Sequence, residues 1–125
     1  MTRNDVKLEK KIVVYVAGAY RASTPWRVQA HVRAAMEVAL AVWKAGAVAL
    51  CPHANTAMFD GEAPDDVWLA GDLELLSRCD AMLTVPGWKA SKGAMAEVEF
   101  ANLKGIPVYH AIEGIAELVQ LRNTP

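Results

Sequence analysis

Residues 81–104 read AMLTVPGWKASKGAMAEVEFANLK, and this stretch decides the fold. Ala81 to Val85 is an apolar run short enough for a buried strand, and Pro86-Gly87 stops it. Ser91 is a good N-cap residue, and the segment after it, rich in Ala, Met and Glu, favours a helix. In a parallel α/β sheet the crevice lies beyond the carboxyl ends of the strands, where helices begin. The stretch therefore brings a hydroxyl, backbone N–H groups and the carboxylate of Glu97 to one small place.

Working outward, the same alternation repeats. Lys11 to Ala17 (KIVVYVA) is β-branched on both faces and reads as a central strand. Gly18 to Pro25 is a loop, with Ser23 or Thr24 placed to cap a helix from about Trp26 to Lys44. Val28, Val32, Met36, Ala39, Leu40 and Trp43 form its expected inner stripe, with Val38 and Val42 beside it. So wide an apolar arc suits a buried helix or a subunit contact.

Gly46 ends that helix as a C′ glycine, and Ala47 to Cys51 is the second strand. Pro52 to Asp66 reads as a long loop of the lid or binding type. Asp65 or Asp66 caps a helix from about Val67 to Arg78, and Asp80 stands at the entrance of the third strand. After the 81–104 segment come a short strand at Val108–His110 and a helix from Ile112 to Arg122. The order is β-α-β-α-β-α-β-α. It predicts one domain of the α/β class, a doubly wound parallel sheet of about four to five strands, flavodoxin-like or Rossmann-like, with helices on both faces.

The bulk numbers narrow the function classes. A length of 125 residues suits one core, and 54% hydrophobic residues are enough to fill it. Thirteen basic and fourteen acidic residues balance to −1, which argues against a nucleic-acid polymer or a membrane surface as partner. No apolar run approaches the roughly 18 residues of a membrane span, and the N-terminus lacks a signal-peptide pattern, so the expected location is the cytoplasm. Cys51 and Cys79 lack metal-type spacing and read as reduced thiols, so neither a metal nor another cofactor is expected.

Several residues stand out as carriers of chemistry. Glu97 lies at the border of the Ala94-Val98-Ala101 stripe and should turn partly inward, whereas Glu99 should face solvent. A partly buried glutamate suits a nucleophile or general base; it also suits an ordinary helix surface. Asp72 could point across the crevice or simply be solvated. Tyr15, a phenol in a central strand, needs a hydrogen-bond partner, and a carboxylate would serve. Gly18 to Ser23 resembles a small anion cradle, with Arg21 and backbone N–H groups. His53 and Asn55 in the long loop are candidates for contact with a base or sugar. Trp88 sits in the turn beside Ser91. His31 and His110 are isolated and take no role.

Four blocks together resemble the nucleoside 2-deoxyribosyltransferase superfamily. They are Val14-Tyr15-Val16-Ala17-Gly18-Ala19-Tyr20-Arg21, the D-L-x-x-L-x-x-x-D block from Asp72 to Asp80, the S-x-G-A-x-x-E block from Ser91 to Glu97, and Gly105-Ile106-Pro107. The chain is especially similar to a short phage and bacterial branch, and to the 2′-deoxynucleoside 5′-phosphate N-hydrolases. The resemblance implies that Glu97 attacks the anomeric carbon, Asp72 protonates the departing base and Tyr15 orients Glu97. It implies that Tyr20 lies against the base and that Arg21 and Ser91 hold the 5′-phosphate; the residues themselves add Gly18, Gly93, Trp88, His53 and Asn55 as candidate substrate contacts. Ser91 stands where many transferases have an aspartate, which resembles the nucleotide N-hydrolases. The expectation is hydrolysis of a (deoxy)nucleoside 5′-monophosphate by a homodimer or higher homo-oligomer. The alternatives are base exchange between nucleosides and a non-catalytic nucleotide-binding module.

Overall fold

In the computed structural model, which describes residues 10–123, the β-branched run becomes strand β1 (Val13–Ala17). It lies inside a four-stranded sheet of order β2-β1-β3-β4, with β2 at Val48–Leu50, β3 at Ala81–Thr84 and β4 at Val108–Tyr109. Every pairing is parallel: Val14 sits beside Ala49 on one side and Ala81 on the other, and Met82 beside Val108. The helices are α1 (Pro25–Lys44), α2 (Pro52–Asn55), α3 (Asp65–Ser77), α4 (Lys92–Leu103) and α5 (Ile112–Asn123). This is the doubly wound α/β architecture, built on four strands.

Side-chain alternation along β1 divides the core between the two faces. Tyr15 and Ala17 point into a cluster with Leu76 and Cys79 of the α3 end, Met82 of β3, and Val98 and Ala101 of α4. Val14 and Val16 point the other way, toward Val42, Ala35 and Ala39 of α1 and Ile115 of α5. The entrances of β1 and β3 are also tied together locally. The Val13 N–H donates to Asp80 Oδ2 at 2.9 Å and the Asp80 N–H to the Val13 carbonyl at 2.8 Å, so Asp80 holds the entrance of β3 as expected.

Helix starts follow their caps. Thr24 Oγ1 accepts from the Arg27 N–H at 3.2 Å, with Pro25 at the first helical position. Ser91 Oγ accepts from the Ala94 N–H at 3.1 Å. Gly46 follows α1 with φ +97°, the left-handed turn that glycine adopts without a Cβ penalty. Gly18 is required for a different reason. A Cβ built there would stand 2.6 Å from the Val85 Cβ, because the ends of β1 and β3 touch at this point.

The structure corrects four expectations. The sheet-facing side of α1 is Val32, Ala35, Ala39 and Val42, whereas Met36, Leu40 and Trp43 are 47%, 54% and 55% exposed. Small residues approach a sheet closely, so the bulkier apolar side chains are left on the outside. The long loop after Cys51 is not structureless, since Pro52 starts the single turn of α2. Helix α3 begins at Asp65 itself, after Pro64, with no side-chain cap, so Asp65 and Asp66 are its first turn and not its cap. Strand β4 ends at Tyr109, one residue before His110. Among the described residues no helix is long and apolar enough to cross a membrane.

Candidate active site

The sheet order reverses direction around β1, which places the switch point between β1 and β3. Ligand crevices of open α/β sheets lie at such points, outside the carboxyl ends of the strands. Three side chains from three elements converge on the α3/α4 face beside it. Tyr15, fully buried in β1, donates its phenolic O–H to Glu97 Oε2 of α4 in a short hydrogen bond. Asp72, near the middle of α3, is partly buried. Its charge reaches both partners, raising the pKa of Tyr15 and of Glu97.

Why these residues meet follows from the packing. The stripe Ala94-Val98-Ala101 holds α4 against the sheet, and Glu97 precedes Val98 on the rim of that contact. Leu73 and Leu76, one and four residues after Asp72, anchor α3 in the same core, with Leu76 on the Asp72 side of the helix. Tyr15 comes up between them because odd-numbered residues of β1 face this side. Glu99 is exposed, as its position on the opposite face of α4 predicts.

Burial dominates the electrostatics. It pushes the Glu97 carboxyl up to about 7; the Tyr15 hydrogen bond opposes that rise and the Asp72 charge adds to it. Burial also holds Asp72 above the ordinary aspartate range. Tyr15 is driven far above its usual value, first by burial and then by the charge and hydrogen bond of Glu97, so it stays a donor. Burial therefore makes Glu97 titrate near neutral pH beside a phenol that stays protonated and an Asp72 that is itself raised by burial. That is a set able to present a carboxylate to an electrophilic carbon and a proton to a leaving group.

The loop after β1 leaves the carboxyl end of the strand that carries Tyr15. His53, 7% exposed, donates from Nε2 to the Ala19 carbonyl at 2.8 Å, and its Nδ1 is buried with no hydrogen-bond partner. Burial lowers the His53 pKa, so the ring is neutral and Nδ1 is a free acceptor. His31 Nδ1 lies 3.0 Å from the Tyr20 carbonyl and pins the same loop. Tyr20 rests edge-on against the His53 ring at 5.7 Å and donates its O–H to Asp60 Oδ2 at 2.8 Å. Arg21 is paired with Asp65.

The remaining expected residues are placed as follows. Ser91 is the α4 cap, with Gly93 two residues on; a Cβ at Gly93 would meet nothing nearer than Ser91 Oγ at 3.9 Å, which leaves the helix start open to close approach. Trp88 packs on the Tyr15 core and stacks on His110, with centroids 5.2 Å apart. His110 Nδ1 in turn lies 2.8 Å from Thr84 Oγ1, so neither this histidine nor His31 is isolated. Asn55 is exposed and lines a groove of about 410 Å³ with Leu50, Cys51 and Leu75, and that groove includes none of the three clustered residues. A groove of about 420 Å³ on the opposite side of the sheet, between α1 and α5, also excludes them.

Sequence reasoning missed Asp60 and Asp65 as partners of the β1–α1 loop. They lie 40 and 44 residues from Tyr20 and Arg21, and no local pattern announces so distant a pairing.

A doubly wound sheet with an acid–acid–phenol cluster at its switch point defines an α/β protein with a candidate acid–base centre. The chain belongs to the family described as a domain of unknown function (DUF7768), which matches residues 12–111 and so spans every element from β1 to β4 together with all three clustered residues. No curated protein matches the chain.

Proposed function

We propose that the chain cleaves the N-glycosidic bond of a (deoxy)nucleoside 5′-monophosphate. The supporting observation is the bond from Tyr15 to Glu97 with Asp72 in electrostatic range. The Glu97 carboxylate attacks the anomeric carbon, and the C–N bond breaks with its electron pair going to the base. Asp72 delivers its proton to the leaving nitrogen. Water then attacks the glycosyl ester, Asp72 takes a proton from it, and Glu97 departs as the free carboxylate. Tyr15 positions Glu97 and stabilises its ionised form. The resemblance to nucleotide N-hydrolases supports the nucleotide substrate, and the open helix start at Ser91 and Gly93 suits an anion.

The same reading includes a homo-oligomer, supported by the outward Met36-Leu40-Trp43 side of α1. The free thiols of Cys51 and Cys79 suit the reducing cytoplasm.

The test is release of free base from a panel of nucleosides and 5′-monophosphates. Glu97→Gln is expected to lower the rate by about 10³-fold or more. Base release as fast in the variant as in wild type would overturn the assignment. Adding a second free base separates the outcomes: a new nucleoside means exchange, and free sugar or sugar phosphate means hydrolysis.

A further inference from the structure

The Nε1–H of Trp68 is shut off from solvent and makes no hydrogen bond among the described residues. Such a donor is rare in native proteins, because its lost hydration is not replaced. Its position ties it to the acidic cluster. Trp68 and Asp72 are four residues apart on α3, and Leu76 is four further on. That spacing puts the three on one side of the helix, with successive Cβ atoms about 5–6 Å apart. Leu76 is fully buried in the Tyr15 core, so this side faces the sheet. Asp72, one turn up, is the acid whose charge reaches Tyr15 and Glu97. The far end of α3 leads into Asp80, which is bonded to Val13 at the entrances of β1 and β3. The Trp68 end therefore lies toward the carboxyl ends of the strands, where the crevice opens. Phe59 covers the indole, with ring centroids 5.6 Å apart and planes tilted by 52°. Met58 before it holds a left-handed backbone, φ +66°, with its side chain 88% exposed, so no packing offsets that conformation.

We infer that Trp68 is a specificity-determining residue of this site: with Phe59 swung aside, its indole N–H donates to an acceptor atom on a planar heteroaromatic ring seated beside Asp72. This deepens the proposed function and rests on it for the ring's being the departing base. The ring stacks where Phe59 stood, and a carbonyl oxygen or pyridine-type nitrogen on its edge takes the N–H. The turn at Met58 lifts with Phe59 and leaves the Leu76 core in place. A ring with no acceptor at that point leaves the donor unpaired and is selected against.

The experiment follows the four tryptophan indole N–H signals of the full chain by nitrogen–proton NMR, the Trp68 signal being the one lost in Trp68→Phe. The probes are uracil, cytosine, adenine and hypoxanthine, with benzene as the ring lacking an acceptor. Their 2′-deoxynucleoside 5′-monophosphates are added to Glu97→Gln, so that no bond is cleaved. Circular dichroism identifies a variant that fails to fold, and Trp68→Leu then stands in for Trp68→Phe. At least one base is expected to move the Trp68 signal downfield, and to bind Trp68→Phe about three- to tenfold more weakly than wild type. Benzene is expected to bind both proteins alike. Phe59→Ala is expected to speed exchange of the Trp68 N–H with water. A Trp68 signal that no probe moves, a base bound equally by wild type and the folded Trp68 variants, or an exchange rate unchanged in Phe59→Ala would overturn the inference. Binding does not depend on bond cleavage, so the two readings fail separately. A shifted Trp68 signal with no base released from any nucleotide sinks the glycosidase and leaves the ring site. Base release with the Trp68 signal unmoved, at an unchanged rate in Trp68→Phe, does the reverse.

Discussion

At the scale of single residues, the site is governed by the titration of Glu97 near neutral pH. Burial raises the Glu97 pKa to about 7, the Tyr15 hydrogen bond opposes that rise, and the Asp72 charge adds to it, so Glu97 is the later of the two acids to ionise. Below the raised Asp72 value both acids are protonated and no nucleophile is present. Above about 7 both are ionised and no proton remains for the leaving base. The base-release rate is therefore expected to be bell-shaped in pH, with an upper limb near 7. Tyr15→Phe removes the hydrogen bond that lowers the Glu97 pKa. Glu97 then keeps its proton to higher pH. The upper limb should move alkaline while kcat falls about 10- to 100-fold. Pre-steady-state rates across pH 5 to 9, wild type against Tyr15→Phe, check both signs; an unmoved limb would show that the phenol does not tune Glu97.

At the scale of elements, the strands and glycines were legible and the rotation of α1 was not. KIVVYVA announces a central strand because β-branched residues occupy both faces, and β1 is buried on both. Glu97 was readable as inward because Ala94, Val98 and Ala101 mark the buried stripe next to it. In α1 the expected stripe rightly held Val32 and Ala39 but also Met36, Leu40 and Trp43, which face outward, and missed Ala35, which faces the sheet because close helix–sheet packing selects small side chains. Apolar patterning weighs residues by hydrophobicity, and here size decided. The Gly18–Val85 contact is a second feature that patterning does not show. Gly18→Ala would force its methyl into Val85 where β1 and β3 end, at an expected cost of about 1–3 kcal/mol. Urea denaturation measures it; an unchanged midpoint would mean that the strand ends separate without strain.

At the scale of the whole molecule, the described surface leaves Met36, Leu40 and Trp43 on one side of α1 at helical spacing. Leu40→Glu places a charge in that patch without touching the core. It is expected to reduce a dimer or larger assembly to monomers in sedimentation velocity, and a wild type that is already monomeric would remove the oligomer from the proposal. The site itself is a whole-molecule property, since Tyr15, Asp72 and Glu97 belong to β1, α3 and α4 and meet only once the sheet is wound. Local patterns announced each residue as unusual, but only the strand order β2-β1-β3-β4 brings them together. The most direct measurement is rapid-quench mass spectrometry of the protein during turnover of a cleaved nucleotide, with peptide mapping of the adduct. The account predicts a transient sugar-phosphate mass on the peptide bearing Glu97, absent in Glu97→Gln. Base release that proceeds with Glu97 unmodified, and at an undiminished rate in Glu97→Gln, would contradict it.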